Sequence, residues 1–269
     1  MQAPLLVAEG LEFRYREPVL REFSLTVMEG RIHFLAGSNG AGKSTALALC
    51  AGEFRPHAGV VRVLGRDPLV PRARHALMAL PETSHRMDWL SAREAVQFHR
   101  DVYGLGKTEG VAAGDALARL GLGAVLERRI AGFSKGMARR VELAALLATD
   151  RPLWLLDEPE AGLDPEGRFL LAELLTEARA RGRAIVIAAH SAGPLLAAAD
   201  ELVVLRKGRT CWRGSVADAA CQTGCVMFEA ELQGPDAHEA LVQRLKGLPF
   251  TSPTLSERGL RFLMEPDAC

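Results

Sequence analysis

The chain has 269 residues, and its 33 lysine and arginine residues balance 33 aspartate and glutamate residues, so the formal net charge is zero. This balance argues against a strongly basic nucleic-acid binder and against a polyacidic tail. Hydrophobic residues make up 48% and charged residues 25% of the chain, which is ordinary for a folded globular protein. The sequence shows neither an apolar run of the ~18–20 residues that span a membrane nor a signal peptide. We therefore predict a soluble intracellular protein that acts at a membrane only through a spanning partner.

Apolar and β-branched runs alternate along the chain with longer amphipathic stretches, a pattern typical of an α/β fold with a mainly parallel sheet. Predicted strands cover residues 5–13, 23–27, 32–36, 60–64, 76–80, 153–156, 184–189 and 202–205. Predicted helices cover residues 43–51, 91–103, 111–120, 134–148, 165–181 and 192–199. The strands at 153–156 and 184–189 are apolar at consecutive positions, which indicates burial on both faces.

The order of these elements predicts the domain organisation. The first strands are expected to form an antiparallel β portion, and residues 82–150 hold three helical patterns, so a helical insert should separate two parts of the sheet. The core pattern ends near residue 215, and a short strand–helix–strand unit follows at 226–232, 237–245 and 260–264. We therefore predict a main domain over residues 1–215 and a small βαβ appendage over residues 216–269.

Five cysteines are present: Cys50, Cys211, Cys221, Cys225 and Cys269. Their odd number, the lack of a Cys-x-x-Cys pair and the lack of histidines at zinc-finger spacing argue against a disulfide framework or a zinc site. The spacing of Cys221 and Cys225 would allow a thiol pair on one helical face. Free thiols in a reducing cytosol explain the pattern more simply.

A glycine-rich segment joins the strand at 32–36 to the helix at 43–51. Its residues match the pattern G-x-x-x-x-G-K-[ST] and are Gly37, Ser38, Asn39, Gly40, Ala41, Gly42, Lys43, Ser44 and Thr45. Glycines let the backbone approach phosphates closely, and successive N–H groups at a helix N-terminus present positive charge to them. The Lys43 ammonium would reach the β- and γ-phosphates, and the Ser44 hydroxyl would ligate Mg²⁺. The segment predicts a phosphate-binding loop.

Two carboxylates and a histidine follow buried strands further along the chain. Asp157 and Glu158 come directly after the strand at 153–156, and His190 follows the strand at 184–189. In phosphate-loop enzymes an acid at the end of a neighbouring strand holds Mg²⁺ with the loop serine, and we assign this role to Asp157. Glu158 would orient and polarise the attacking water, while His190 would contact the γ-phosphate or hold that water. The alternatives are a solvated acid at a strand end and a structural histidine.

Several motifs in order make residues 4–215 resemble the ATP-binding-cassette ATPases. Tyr15 stands upstream of Lys43 where that family has an aromatic residue that stacks on adenine. The segment Phe133-Ser134-Lys135-Gly136-Met137 falls where the family has its signature, Leu-Ser-Gly-Gly-Gln. Gly162-Leu163-Asp164-Pro165 is similar to the family's D-loop, and His190 matches its switch histidine.

The resemblance implies an ATPase that uses ATP and Mg²⁺ and works as a pair of cassettes. In the family, the helix that begins at the signature faces ATP bound to the other subunit, which implies a role in trans for Ser134 and Gly136. The complete set of motifs in one chain favours two identical copies. The family also implies separate transmembrane permease subunits, which would hold the chain at the inner face of the cell membrane.

Departures from the family pattern favour an exporter. Lys135 and Met137 replace the first glycine and the glutamine of the signature, Glu160 stands where a small hydroxyl residue is common, and Glu82 stands for the Q-loop glutamine. A carboxylate is an acceptable oxygen ligand, so Glu82 is a further candidate ligand of Mg²⁺. The Ser-Lys-Gly-Met pattern and the proline before Glu82 resemble the cassettes of bacterial exporters of drugs, antibiotics and polysaccharides.

Two alternative functions remain at this point. An importer cassette more often keeps the full signature and the Q-loop glutamine. A soluble cassette that acts on nucleic acid or ribosomes usually has two cassettes or a long inserted coiled coil, and the short spacing between Lys43 and Ser134 leaves no room for one. The balanced charge also argues against a nucleic-acid partner.

The helical insert at 82–150 is the expected docking surface for a membrane partner. Trp89, Phe98 and Tyr103 are candidates for that contact, because exposed aromatic side chains often anchor interfaces. The alternative is that they pack inside the insert, and we favour this packing for at least two of the three.

Overall fold

The computed structural model describes residues 3–83, 87–106, 111–189, 194–216 and 218, together with three strands nearer the C-terminus. The strands are β1 (Leu6–Arg14), β2 (Pro18–Val27), β3 (Ile32–Ala36), β4 (Ala58–Val63), β5 (Leu77–Leu80), β6 (Leu153–Asp157), β7 (Ala184–Ala189), β8 (Glu201–Arg206), β9 (Arg209–Ser215), β10 (Met227–Ala230), β11 (Thr254–Ser256) and β12 (Gly259–Leu263). The helices are α1 (Lys43–Cys50), α2 (Pro71–Arg74), α3 (Ala92–Val102), α4 (Ala113–Arg119), α5 (Lys135–Thr149), α6 (Pro165–Ala180) and α7 (Pro194–Ala197).

The central sheet has the order β5-β6-β7-β3-β8-β9. Its first five strands are parallel, and β9 pairs antiparallel with β8 at one edge. Asp157 at the end of β6 pairs with Ala188 of β7, and Ala189 pairs with Ala36 at the end of β3. The carboxyl ends of these three strands therefore lie side by side, which is where open parallel sheets bind their ligands.

Both faces of the central sheet are covered, and this coverage explains the unbroken apolar strands. In β7, Ile185 and Ile187 pack with helices α3 to α6, whereas Val186 and Ala188 pack on the other face with β1, β2 and α1. All six residues of β7 are buried. Full burial of one aliphatic side chain is worth about 1.5–3 kcal/mol, so the central strands hold the sheet firmly under the site.

The α/β fold with a mainly parallel sheet is confirmed. Each of the eight predicted strands is present, and β1, β2 and β4 form the expected antiparallel sheet near the N-terminus. Strand β2 begins at Pro18, earlier than predicted, and neither β9 nor α2 was predicted. Strand β9 lies at a sheet edge and alternates exposed with half-buried residues, so its sequence lacks the apolar run that marks the central strands.

The helical content expected for residues 82–150 is also present. Helices α3, α4 and α5 pack together there, with 3₁₀ turns at Gly123–Val125 and Ile130–Gly132. No strand lies in the described part of this range.

The strands nearest the C-terminus differ from the predicted βαβ arrangement. Strands β10, β12 and β11 form a separate sheet in that order, and both pairs are antiparallel, whereas a βαβ unit pairs its strands parallel. Strand β11 was not predicted, because its three residues form no recognisable apolar pattern. The predicted helix at 237–245 lies outside the described residues.

In the part of the chain that the structure describes, no helix is both long and apolar enough to cross a membrane. Two of the cysteines lie there as free thiols. Cys50 is buried in α1, and this burial raises the pKa of its thiol to about 12. Cys211 is exposed on β9. Cys221, Cys225 and Cys269 lie outside the described residues.

Helix α3 begins with a capping box, which makes its stability testable. The Ser91 hydroxyl accepts a hydrogen bond from the Glu94 N–H at 3.2 Å, and the Glu94 carboxylate accepts one from the Ser91 N–H at 2.8 Å. We expect Ser91→Ala to lower the free energy of unfolding by about 1 kcal/mol, measured by urea denaturation. Thr176→Ala, in the exposed part of α6, is the matched control and should cost less. Equal losses in the two variants would contradict the role of the cap.

Candidate nucleotide-binding site

The predicted phosphate-binding loop lies between β3 and α1, as expected. Gly40 and Gly42 have φ angles of 78° and 107°, in the left-handed region that favours glycine. Gly42 is the N-cap of α1, and a Cβ atom built on it would lie 2.7 Å from Cδ2 of Leu20 and 3.1 Å from the Val19 carbonyl oxygen. Ser38, Asn39 and Gly40 are exposed at the mouth of the loop. An anion therefore has access to the loop from solvent.

Lys43 folds back over this loop. Its side chain is buried, and its ammonium donates hydrogen bonds to the carbonyl oxygens of Gly37 at 2.7 Å and Ser38 at 3.4 Å. The loop is closed at its far end by a hydrogen bond from the Ala41 N–H to the Ser38 carbonyl oxygen at 3.0 Å. Ala41 and Thr45 are buried beneath the loop, while Ser44 faces outward from the first turn of α1.

Asp157 faces Ser44 from the end of β6. Its side chain is buried and accepts a hydrogen bond from the Ser44 hydroxyl, yet its Oδ1 atom has no hydrogen-bond partner. Burial raises the pKa of this carboxyl above its usual value, and the nearby charges of Glu158 and Glu82 raise it further. A buried, unpartnered carboxylate oxygen beside a hydroxyl and a second carboxylate fits a divalent cation that takes oxygen ligands.

No group of three or more histidine, cysteine, aspartate or glutamate side chains is arranged as a metal centre within the described ranges. A cation held by Ser44, Asp157 and Glu82 would therefore depend on further oxygen ligands, such as phosphates and water. This is the usual situation for Mg²⁺, which keeps several waters and binds to one or two carboxylates plus substrate phosphates.

Glu158 follows Asp157 in the sequence and has an unusual backbone conformation. Its φ angle is 44°, in the left-handed region where residues other than glycine are uncommon. Its N–H donates to the Ala188 carbonyl oxygen at 2.8 Å, which ties it to the end of β7. The side chain is 9% exposed. Such strained residues persist when surrounding contacts hold them, and they cluster at active sites.

His190 lies outside the described residues. Strand β7 ends one residue before it, at Ala189, which pairs with Ala36 at the start of the phosphate-binding loop. The role of His190 at the γ-phosphate thus stays a prediction from the sequence.

Tyr15 stands beside the same groove. Its ring is 58% exposed and makes edge contacts with Phe13 at 5.0 Å and Phe54 at 5.9 Å between ring centroids. The groove next to it is lined by residues of the phosphate-binding helix, the end of β5 and the end of β6, among them Ser44, Thr45, Leu47, Phe54, Pro81 and Asp157. An exposed ring in this position is available to stack on a flat base.

The segment at 133–137 forms the start of α5. Ser134 is the N-cap, and its hydroxyl accepts a hydrogen bond from the Met137 N–H at 3.2 Å. A Cβ atom on Gly136 would lie 2.6 Å from the Gly162 carbonyl oxygen, so only glycine fits against this backbone. Ser134 and Lys135 are exposed, which leaves this helix N-terminus open to another molecule.

Two arginines on α5 belong to the site and were not predicted from the sequence. Arg140 donates to the Asp164 carboxylate at 2.6 Å, and Asp164 is itself the N-cap of α6. The hydrogen bond from the Gly167 N–H and the interaction with Arg140 lower the pKa of Asp164. Arg139 is buried and contacts the backbone around Asp157 and Glu158. Two adjacent arginines give no sequence signal of which one points inward.

The β3–loop–α1 unit and the acid at the tip of β6 define a P-loop nucleotide-binding ATPase. A family model described as "ABC transporter" matches residues 20–161. The chain is 32% identical over 256 residues to the cobalt import ATP-binding protein CbiO of Rhodobacter capsulatus, covering 92% of this chain and 91% of that protein. It is 32% identical over 223 residues to the Nod factor export ATP-binding protein I of Burkholderia lata, covering 81% and 72% of the respective chains.

A solved structure of the ATP binding subunit of an ABC transporter shares the fold, with a TM-score of 0.74 and 29% identity, covering 80% of this chain and 91% of that chain. The family model spans more than half of the chain, and both relatives match over most of their length. The chain therefore belongs to the ABC transporter family, in which it is an ATP-binding subunit.

The raised pKa of Asp157 leads to a prediction about stability. Burial disfavours the charged form of the Asp157 carboxyl, so we expect Asp157→Asn to raise the melting temperature of the nucleotide-free protein at pH values above the raised pKa, by at most about 2–4 °C. As the pH falls through the raised pKa of Asp157, the wild-type carboxyl takes up a proton and the difference should shrink.

Thermal unfolding of both proteins at several pH values measures this effect. Asp115→Asn is the control, because Asp115 is exposed in the first turn of α4, and its loss should not raise stability. A melting temperature of Asp157→Asn below that of the wild type at neutral pH would show that the carboxylate is a net stabilising group.

Proposed function

We propose that the chain is the ATP-hydrolysing subunit of a membrane exporter, and that it couples ATP-driven closure of a cassette pair to movement of separate permease subunits. One observation carries the proposal: Lys43, Ser44, Asp157 and Glu158 lie at the carboxyl ends of β3 and β6, and the exposed Tyr15 lines the same groove as Ser44 and Asp157. This arrangement supports a site for ATP in which Tyr15 binds the base and the residues at the strand ends bind the phosphates.

In the proposed reaction, ATP binds with its base against Tyr15 and its phosphates in the loop formed by residues 37–42. The Lys43 ammonium exchanges its contacts with the Gly37 and Ser38 carbonyl oxygens for the β- and γ-phosphates. Ser44, Asp157 and Glu82 would hold Mg²⁺, and the ion would supply positive charge to offset the negative charge of the phosphates. Glu158 orients and polarises the attacking water at the γ-phosphate, with His190 assisting.

A second copy of the chain completes the site. The exposed N-terminus of α5, with Ser134 and Gly136, would face the γ-phosphate of ATP bound to the other copy, and its aligned backbone dipoles favour that negative charge. ATP would bind the closed pair more tightly than the open one and so shift the population towards closure. Hydrolysis would remove that preference and reopen the pair.

We propose that the direction of transport is export. The Ser-Lys-Gly-Met pattern at 134–137 and the proline before Glu82 support an exporter, and one relative is a Nod factor export ATP-binding protein. The relative that is a cobalt import ATP-binding protein keeps an importer as the second candidate.

The surface of the helical insert supports the proposed permease contact. Trp89 and Phe98 are exposed there, at 71% and 47% of their surfaces, whereas Tyr103 packs inward and donates its hydroxyl to the Leu77 carbonyl oxygen at 2.7 Å. The expectation that at least two of these three aromatic side chains are packed is therefore wrong. A separate apolar groove lies between α3, α5 and the end of β5, lined by Met78, Leu80, Met87, His99, Ile130 and Val141 among others. A permease bound there would place the chain at the inner face of the membrane.

Substitution of Glu158 tests the proposed hydrolysis. In Glu158→Gln the polarising carboxylate is lost while the phosphate-binding loop is intact, so we expect kcat for ATP to fall by at least ~100-fold with little change in ATP affinity. Phosphate release by the purified protein measures turnover, and a fluorescent ATP analogue measures binding. Glu173→Gln, an exposed acid on α6, is the control. Turnover that survives Glu158→Gln would remove this residue from the reaction.

Copurification tests the transporter assignment. Because Glu158→Gln should hold the closed complex together, the tagged variant purified with ATP from solubilised membranes is expected to retain a multi-span membrane protein. Adding Trp89→Ala and Phe98→Ala should release that protein, whereas Phe169→Ala, which removes an exposed aromatic side chain from α6, should not. A soluble or nucleic-acid partner without a membrane protein would contradict the transport role.

A further inference from the structure

A buried arginine on α5 lies against the reactive end of β6. Arg139 is 5% exposed, although a guanidinium stays charged at any physiological pH. Removing such a charge from water is costly unless its donors are satisfied and a counter-charge is near. The Glu142 carboxylate, one turn further along α5, accepts a hydrogen bond from Nη1 of Arg139 at 2.8 Å and supplies that counter-charge.

The remaining donors of Arg139 all bind main-chain carbonyl oxygens. Nη2 donates to Asp157 at 2.8 Å and to Glu158 at 2.9 Å, and Nε donates to Pro159 at 3.2 Å. Nη1 donates in addition to Pro81 at 2.9 Å. With the bond to Glu142, these contacts make five hydrogen bonds for the five N–H groups of a guanidinium. The planar fork therefore holds three consecutive carbonyl groups in one fixed orientation.

Those three carbonyl groups belong to the segment that bears the proposed magnesium ligand and the proposed catalytic carboxylate. Glu158 has a left-handed backbone, which costs free energy for a residue with a Cβ atom and which its neighbours must impose. Arg139 binds the carbonyl groups on both sides of that strained position, at Asp157 and at Pro159 as well as at Glu158 itself. Arg139 also binds the carbonyl oxygen of Pro81, the residue that precedes Glu82, another proposed magnesium ligand.

We propose that Arg139 is a positioning residue for hydrolysis: it fixes the backbone at Glu158, and through it the direction of the Glu158 carboxylate towards the attacking water. The inference rests on the proposed function. At residues 157–159 Arg139 binds main-chain oxygens and no side chain. It therefore contributes to the rate by fixing the position of the Glu158 backbone, and not by binding ATP. A misplacement of a catalytic group by about 1 Å can cost ~100-fold in rate, so a fixed backbone here matters for kcat more than for binding.

Arg100 offers a matched control for a purely structural role. It is 2% exposed, and it donates to the carbonyl oxygens of Gly106, Val111 and Ala148, so it too is a buried arginine that binds several main-chain carbonyl groups. Its partners lie within the helical insert and at the end of α5, away from the phosphate-binding loop. Loss of either arginine should lower the melting temperature.

The experiment compares Arg139→Gln, Arg139→Lys and Arg100→Gln with the wild type, using the full chain below the melting temperature of each variant. We expect Arg139→Gln to lower kcat for ATP by about 10–100-fold while KM and the affinity for a fluorescent ATP analogue stay within ~2-fold. Arg139→Lys keeps the buried positive charge but loses the fork, so its kcat should lie between those of the wild type and Arg139→Gln. Arg100→Gln should keep kcat within ~2-fold of the wild type.

Several outcomes would overturn the proposal. A folded Arg139→Gln with the kcat of the wild type, or equal losses of kcat in Arg100→Gln and Arg139→Gln, would reduce Arg139 to a structural residue. If Arg139→Gln does not fold, Arg139→Lys decides, and a kcat equal to that of the wild type refutes the role. Failure of the proposed function is distinguishable, because then the wild type itself would show no turnover that Glu158→Gln abolishes.

Discussion

The parallel pairing of β6, β7 and β3 is the constraint on which the site depends. It brings the ends of β6 and β7 to one edge of the sheet beside the end of β3, which is more than a hundred residues away along the chain. The phosphate-binding loop leaves from β3, and the two acids leave from β6. Since all six residues of β7 are buried, the two halves of the site cannot move apart without exposing apolar core. The sheet thus positions the phosphate-binding loop and the two acids relative to each other, and the reactive side chains lie at the strand ends and in the short loops that follow them.

The sequence was sufficient for the fold class because the central strands carry a strong signal. Their unbroken apolar runs, the glycine-rich loop and the acid pair after 153–156 each follow from a physical requirement that residue types reveal. The weakly patterned elements β9 and α2 bury little apolar surface, so their residue types carry little information, and β11 has only three residues. The antiparallel pairing of β10 and β12 depends on partners distant in sequence, which no local pattern specifies.

For the site, residue types indicated which groups are present but not their surroundings. The sequence shows that Asp157 follows a strand, while its burial, its bond to Ser44 and its raised pKa emerge only from the packed structure. The same holds for Gly136, whose lack of a side chain is required by the Gly162 carbonyl oxygen. The local sequence also does not predict which aromatic side chains of the helical insert are exposed. Trp89 and Phe98 are exposed and Tyr103 is packed, and no local pattern distinguishes the three.

The hydrogen bonds of Lys43 to its own loop help to set the shape of that loop. The ammonium holds the Gly37 and Ser38 carbonyl groups together, and these two oxygens accept the hydrogen bonds that phosphate oxygens accept in the proposed ATP complex. Replacing Lys43 by a neutral residue therefore alters the resting shape of the loop as well as its attraction for phosphate. A comparison of such a variant with the wild type therefore mixes two effects, a changed loop conformation and a weaker attraction for phosphate. The wild-type protein without added ATP is the better nucleotide-free reference.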